Sequence, residues 1–272
     1  MTQMAHELTD SQFRRISEIV YQFCGINLKD GKEALVRARL MKRLRVIGVM
    51  SIDEYMKLIE SPQGEAELSQ MIDAMTTNKT SFFREIGHFD FFRQTIIPKF
   101  DKRPLRFWSA ACSSGEEPYS LAMLLHEHIF DIDKQDIRIL ATDISMRMLE
   151  KARRAVYSET TVQDIPAPYL HKYFSKVPNG MSPGYRVSDR VRSIVRLANL
   201  NLMGHWPMKG PFQVIFCRNV MIYFDRSTQQ DLVGRFWNLL ETGGYLFVGH
   251  SEGLSGITHR FQYVKPAIYQ KK

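Results

Sequence analysis

Two places in this 272-residue sequence join small or acidic residues to the ends of short apolar runs, where a ligand could be held. The first follows the apolar run Leu105–Ala110 and reads Ser109-Ala110-Ala111-Cys112-Ser113-Ser114-Gly115-Glu116-Glu117-Pro118. Its small side chains let a ligand approach the backbone closely. It lacks the G-x-G-x-x-G pattern and a Walker lysine, and it carries two acids where a phosphate would need positive surroundings. A cationic or hydroxyl-rich ligand is favoured over a phosphate-bearing nucleotide. The second place is Asp143, at the end of the run Ile137–Thr142, where an acid can accept both hydroxyls of a ribose. Each feature alone has a plain structural reading. Glu116 and Glu117 could be first-turn acids complementing a helix dipole, and Asp143-x-Ser145 could be a helix N-cap.

These positions need an open α/β sheet, in which ligands bind at the carboxyl ends of the strands. From Leu105 onward, short apolar runs alternate with helical stretches, the pattern of a parallel sheet covered by helices. Strands are expected at Leu105–Ala110, Ile137–Thr142, Phe212–Cys217 and Tyr245–Gly249. Helices are expected at Pro118–His128, Met146–Val156 and Thr228–Leu240, the last stopped by Gly243-Gly244. Gly184–Leu200 alternates like an antiparallel pair and suggests a small inserted sheet, and Phe261–Val264 with Ala267–Gln270 suggests a terminal hairpin. Given such a sheet, the two features together fit adenosine bound without phosphates, and S-adenosylmethionine meets that description.

The first 75 or so residues read differently, as a helical module. Thr9-x-x-Gln12, Asp30-x-x-Glu33 and Ser51-x-x-Glu54 each fit a capping box. The first helix is expected to bury Phe13, Ile16, Val20 and Phe23. In the second, Val36, Leu40, Leu44 and Ile47 share one side, and Lys32, Arg39 and Arg43 recur on an adjacent one. A further helix is expected over Glu65–Met75. In the second helix, Lys32, Arg39 and Arg43 together with Arg37, Lys42 and Arg45 make a basic patch opposed only by Glu33. The whole chain carries a formal charge of +8, which favours an anionic partner without distinguishing nucleic acid, acidic protein and anionic lipid.

At 44% hydrophobic and 24% charged residues the chain can bury one good core and a smaller second one. No run approaches the ~20 apolar residues of a membrane span, and the opening residues MTQMAHELTD form neither a basic leader nor an apolar signal core. A soluble cytoplasmic chain without direct membrane insertion is expected. Cys24, Cys112 and Cys217 lack metal-ligand spacing and read as reduced, mostly buried thiols, and no metal site is expected.

Five ordered motifs carry a resemblance. They are Asn78-Lys79-Thr80-Ser81-Phe82-Phe83-Arg84, Trp108–Ser120 with its Ser-Ser-Gly-Glu-Glu-Pro-Tyr centre, Ala141-Thr142-Asp143-Ile144-Ser145, Phe216-Cys217-Arg218-Asn219-Val220-Met221-Ile222-Tyr223-Phe224, and Gly249-His250-Ser251-Glu252. Together they resemble the CheR family, whose members transfer methyl from S-adenosylmethionine to glutamates of chemotaxis receptors. The match spans almost the whole chain, the helical module included.

The resemblance implies a class I S-adenosylmethionine-dependent methyltransferase, Rossmann-like with a mostly parallel sheet. An N-terminal all-helical domain at 1–76, a connector at 77–87, and a methyltransferase domain at 88–272 with a small inserted antiparallel β-subdomain at about 157–198 follow from it. It places Asn78, Thr80 and Arg84 at the cofactor, Glu117 near the methionine amino group, Asp143 on the ribose, Asn199 and Leu200 beside the adenine, and Arg218 and Asn219 beneath the methionine portion and the sulfonium. Arg84 and Tyr223 become the catalytic candidates, and Lys32, Arg39, Lys42 and Arg43 the candidates for receptor binding. The implied partner is the cytoplasmic helical region of methyl-accepting chemotaxis receptors, reached at receptor arrays. Some members also dock on a receptor C-terminal pentapeptide through the small sheet, and the sequence does not assign this chain to either kind. Taken singly, Asn78 and Thr80 could cap a helix, Arg84 form a surface ion pair, Asn199 end a strand, Tyr223 fill core, His250 satisfy a local backbone group, and Glu252 contact a partner or stay solvated.

Two other functions fit the sequence less well. A nucleic-acid methyltransferase is disfavoured, since no Asn/Asp-Pro-Pro-aromatic signature follows Cys217 and the basic helix lacks interleaved stacking aromatics. A regulatory module that binds S-adenosylmethionine or S-adenosylhomocysteine without turnover is opposed by the retention of Arg84, Asp143, Arg218, Asn219 and Tyr223.

Overall fold

The computed structural model describes residues 7–101, 104–179 and 182–272. They form two compact units, one running up to Thr77 and including Tyr223–Thr228, the other comprising Asn78–Ile222 and Gln229–Lys272.

The first unit is built on α1 (Asp10–Cys24), α2 (Glu33–Ile47), α3 (Ile52–Ile59) and α4 (Glu65–Met75). Thr9 and Gln12 form the expected reciprocal capping box. Ser51 accepts from the Glu54 N–H, but the Glu54 carboxylate turns to the Met50 N–H at 3.4 Å. The box expected at Asp30 does not form. The carboxylate of Glu33 accepts from the Gly31 N–H at 3.0 Å, and the helix is capped at Lys32 without a side-chain bond. On α1, Cys24 joins Phe13, Ile16 and Val20 on the buried side. Phe23, expected there, is half-buried, because Cys24 is the residue one turn beyond Val20. On α2, Val36, Leu40 and Leu44 are buried as the periodicity requires. Residues 223–228 belong here through backbone and side chain alike. The Asn27 N–H donates to the Tyr223 carbonyl at 2.8 Å, and the Tyr21 hydroxyl donates to Asp225 at 2.6 Å.

The second unit contains, in chain order, α5 (Ile86–Phe91), β1 (Leu105–Ala110), α6 (Glu116–His128), β2 (Ile137–Asp143), α7 (Met146–Arg154) and β3 (Val156–Ser158). Next come α8 (Glu159–Val162), α9 (Ala167–Tyr173), β4 (Phe174–Asn179), β5 (Ser182–Val187), α10 (Asp189–Ser193), β6 (Val195–Asn199) and β7 (Phe212–Cys217). The chain closes with α11 (Arg226–Leu239), β8 (Leu240–Val248), β9 (Gln262–Lys265) and β10 (Ile268–Gln270). The main sheet has the order β6-β2-β1-β7-β8-β10-β9. Its first five strands run parallel, and β10 and β9 form the antiparallel end expected of the terminal hairpin. A second sheet, β3-β5-β4, is antiparallel.

Two sequence expectations are corrected. Val195–Asn199 is not part of the small sheet but pairs parallel with β2 in the main one. Helix α11 runs over Arg226–Leu239 against the expected Thr228–Leu240, and the break falls before Gly243-Gly244, since Leu240 already pairs with Phe212.

The strand order positions the site. From β1 the chain works outward through β2 to β6, then returns to β7 on the other side of β1. The loops after β1 and β7 therefore diverge at a topological switch point, where an open α/β sheet leaves a crevice. The apolar faces behind it are closely packed, with Phe216 stacked on Phe247 at 4.4 Å between ring centroids. Among the described residues no helix is long and apolar enough to cross a membrane.

Candidate functional site

The loop after β1 enters α6 through Gly115, at φ +96°. A Cβ there would lie 2.9 Å from Ala152 Cβ and 3.1 Å from the Tyr157 hydroxyl, so only glycine fits both the conformation and the space. The Tyr157 hydroxyl, from β3, donates to the Ser114 carbonyl at 2.7 Å. Five non-glycine residues with positive φ lie in the connector and the loops after β1 and β7: Phe83, Glu85, Ala111, Ser113 and Asn219. Such backbone persists only where surrounding contacts over-determine it. Here they do. The Phe83 N–H donates to the buried Ser120 hydroxyl at 3.0 Å, Phe82 packs edge-on against Tyr157 at 4.9 Å, and the Ser113 hydroxyl donates to the Asn78 carbonyl at 3.0 Å.

Asp143, at the end of β2, accepts from the Ser113 N–H at 2.7 Å and the Ser145 N–H at 2.8 Å. Ser145, not Asp143, caps α7. Asn199 at the end of β6 donates to the carbonyls of Asp143 and Ile144, and the Leu200 N–H donates to the Asp143 carbonyl at 3.1 Å. The loop after β1 is thus tied to the carboxylate of Asp143, and the end of β6 to the backbone carbonyls of Asp143 and Ile144.

Opposite them, Arg218 follows β7 with a side chain only 2% exposed. Its guanidinium is 2.9 Å from the carboxylate of Glu117 and 2.9 Å from that of Glu85. Glu117 also accepts from the Ser109 hydroxyl at 2.7 Å, and Glu85 from the Asn219 amide at 3.1 Å. Burial would raise the Glu85 pKa, but the Arg218 charge and the bonds from Arg218 and Asn219 hold it below the usual carboxylate value. Glu252 is neither solvated nor turned to a partner. It is buried and accepts from the N–H groups of Asn219, Ile222 and Gly249, so it fixes the turn after β7. Burial nevertheless raises its pKa. A Cβ on Gly249 would stand 2.5 Å from that carboxylate.

The cofactor candidates Asn78, Glu117, Asp143, Asn199, Leu200, Arg218 and Asn219 all enter these linked loops. The Arg84 side chain donates to the Lys79 carbonyl at 2.7 Å, which curls the connector on itself, and Thr80 is half-buried. Tyr223 is half-buried in the helical unit, where it interacts electrostatically with Arg39. Glu85 and Glu252 organise these loops without any local signal in the sequence. Nothing local in the sequence announces that the partner of Glu85 lies at position 218. Burial pushes the thiols of Cys112 and Cys217 well up, which makes them poor nucleophiles.

The basic helix is divided in its use. Arg43 forms a two-bond fork with Glu67 at 2.6 and 3.0 Å, and Tyr55 donates to the same carboxylate at 2.8 Å. Arg39 donates to the Met75 carbonyl at 2.6 Å and the Thr77 hydroxyl at 3.0 Å. Lys32 and Lys42 are exposed. Accordingly Arg43→Ala should destabilise the helical unit by about 1–3 kcal/mol, since it strands a half-buried carboxylate. Lys42→Ala should leave stability within about 0.5 kcal/mol of the parent. Urea denaturation of the two variants checks this, and equal midpoints would show that the fork is not structural.

Residues 78–269 match the model of the family described as CheR methyltransferase, SAM binding domain, and residues 11–76 that of the CheR methyltransferase, all-alpha domain. A chemotaxis protein methyltransferase of Borreliella burgdorferi is 38% identical over 97% of this chain and 95% of its own. One of Escherichia coli is 40% identical over 96% and 91%, and chemotaxis protein methyltransferase 2 of Pseudomonas aeruginosa is 37% identical over 96% and 93%.

Proposed function

Because the chain belongs to the CheR methyltransferase family, we propose that it transfers methyl from S-adenosylmethionine to glutamate side chains of chemotaxis receptors, releasing S-adenosylhomocysteine. The family assignment over both units carries this reading. The carboxylates at the switch point support it, since they suit a cationic, hydroxyl-bearing cofactor and repel phosphate.

The reaction is an in-line displacement. A glutamate oxygen forms a bond to the methyl carbon as the carbon–sulfur bond breaks, and that electron pair returns to sulfur and neutralises the sulfonium. A glutamate with an ordinary pKa near 4.3 is already ionised at neutral pH, so no general base is required. The rate then comes from positioning and exclusion of water, for which near-attack geometry can supply about 7–11 kcal/mol.

In this reading Asp143 accepts the ribose hydroxyls, Glu117 takes the methionine amino group, and Asn199 and Leu200 border the adenine. Asn78, Thr80 and Arg84 close the connector side, with Arg218 and Asn219 beneath the sulfonium. Arg84 binds the methionine carboxylate or steers the incoming glutamate, and Tyr223 is the second catalytic candidate. Lys32 and Lys42 offer exposed charge to the acidic receptor helices, with Arg39 half-buried behind them and Arg43 already paired with Glu67. The enzyme works in the cytoplasm at receptor arrays, and the sheet β3-β5-β4 is the place where a receptor pentapeptide would dock.

The bond formed gives the test. A glutamate methyl ester releases labelled methanol in mild alkali, whereas methyl on an amine, amide or base is retained. With labelled S-adenosylmethionine and a purified receptor cytoplasmic domain, the label should be volatile after mild alkali and absent when the acceptor Glu is changed to Ala. Alkali-stable label would overturn the assignment. Each ester removes one negative charge from packed receptor helices, which biases their signalling equilibrium.

A further inference from the structure

Glu85, His88 and His250 converge although 165 positions separate the first from the last. The Glu85 Oε2 atom lies 3.5 Å from His88 Nδ1 and 3.9 Å from His250 Nε2, and the three residues offer ligand atoms all within 4.8 Å of one another. Tetrahedral zinc with bonds of about 2.0–2.2 Å sets its ligand atoms roughly 3.3–3.6 Å apart. The two Glu–His spacings are close to that. The His88 side chain is 2% exposed and His250 56%, so His250 is the residue free to turn inward and close the set. His250 also leaves the site open to solvent for ion entry and a water ligand.

A second observation points to a ligand. Neither ring nitrogen of the buried His88 has a hydrogen-bond partner, and an unpaired buried polar group asks for an ion or water. Charge agrees, since Glu85 and Glu117 share one guanidinium, that of Arg218.

We propose that Glu85, His88 and His250 bind a divalent transition-metal ion of the zinc type, in competition with Arg218 for the Glu85 carboxylate. Two imidazoles and one carboxylate suit zinc and its neighbours rather than magnesium or calcium. Glu85 holds both Arg218 and Asn219, so an ion drawing on it loosens the loop after β7. Zinc then acts as an inhibitor. The binding stands independently of the assigned reaction, and only the inhibition rests on it.

Zinc calorimetry and cobalt absorption titration on the full chain test the binding without turnover. One zinc per chain is expected, weakened at least about tenfold in His250→Ala, whose exposed side chain can be removed without unfolding, as near-ultraviolet circular dichroism would verify. Magnesium should not compete. In the methyl-transfer assay, zinc should inhibit the parent protein and spare His250→Ala at the same concentration. No zinc binding by the parent, undiminished binding by His250→Ala, or displacement by equimolar magnesium would each overturn the site. Equal inhibition of both proteins would overturn the link to Glu85.

Discussion

Arg218→Ala is expected to lower the stability of the sheet unit by about 3–5 kcal/mol, the cost of removing one partner from a buried ion pair. The side chain is 2% exposed and sits between carboxylates that are 14% and 12% exposed, those of Glu85 and Glu117. Its loss leaves two partly desolvated negative charges facing one another. It also removes a guanidinium that stands 5.6 Å from the Phe89 ring centroid. Arg218→Lys should recover only part of the loss, because an ammonium group cannot span both carboxylates in the planar fork of arginine. Arg218→Met combined with Glu85→Gln should be more stable than Arg218→Ala, since it removes one stranded charge and restores apolar volume. Urea midpoints for the four proteins decide the matter. A wild-type midpoint for Arg218→Ala would mean that the cluster is solvated and contributes nothing.

Asp143→Ala should weaken S-adenosylmethionine and S-adenosylhomocysteine together, by about 10- to 150-fold, because a hydrogen bond to a charged group contributes about 1.5–3 kcal/mol. Both ligands carry the ribose, and only one carries the sulfonium, so a loss confined to S-adenosylmethionine would point to a charge effect instead. The carboxylate also holds the Ser113 and Ser145 N–H groups. Asp143→Asn, which retains one acceptor oxygen, therefore serves as the control for loop disorder. Calorimetry on folded variants measures both ligands. Unchanged affinities would reduce Asp143 to a loop-ordering residue.

Much of the fold was legible because its signals are local. Leu105–Ala110 and Phe212–Cys217 form strands over the range of their apolar runs. A strand covered on both faces needs an uninterrupted apolar sequence, and β7 is buried at every position. Thr9 and Gln12 meet because a capping box spans three residues. The edge strand β6 was misplaced for the complementary reason. It is half exposed, its sequence alternates, and only pairing with Ile139–Asp143 makes it a parallel strand of the main sheet.

The sequence by itself determined the helical module, the alternation that builds a parallel sheet, the two acidic loops, and five motifs that identify a methyltransferase family. Each is written in near neighbours or in residues whose order along the chain is enough. The tertiary structure decided what those residues are bonded to. It spent Arg43 on Glu67 and Arg39 on the end of α4, buried Glu252 against backbone amides, and brought Glu85 to Arg218 and His250 to Glu85. An ion pair between residues more than 130 positions apart leaves no local period, since its partners share neither a helix turn nor a strand. Its stability depends on burial and on the angle at which two loops meet, and only the folded chain supplies these.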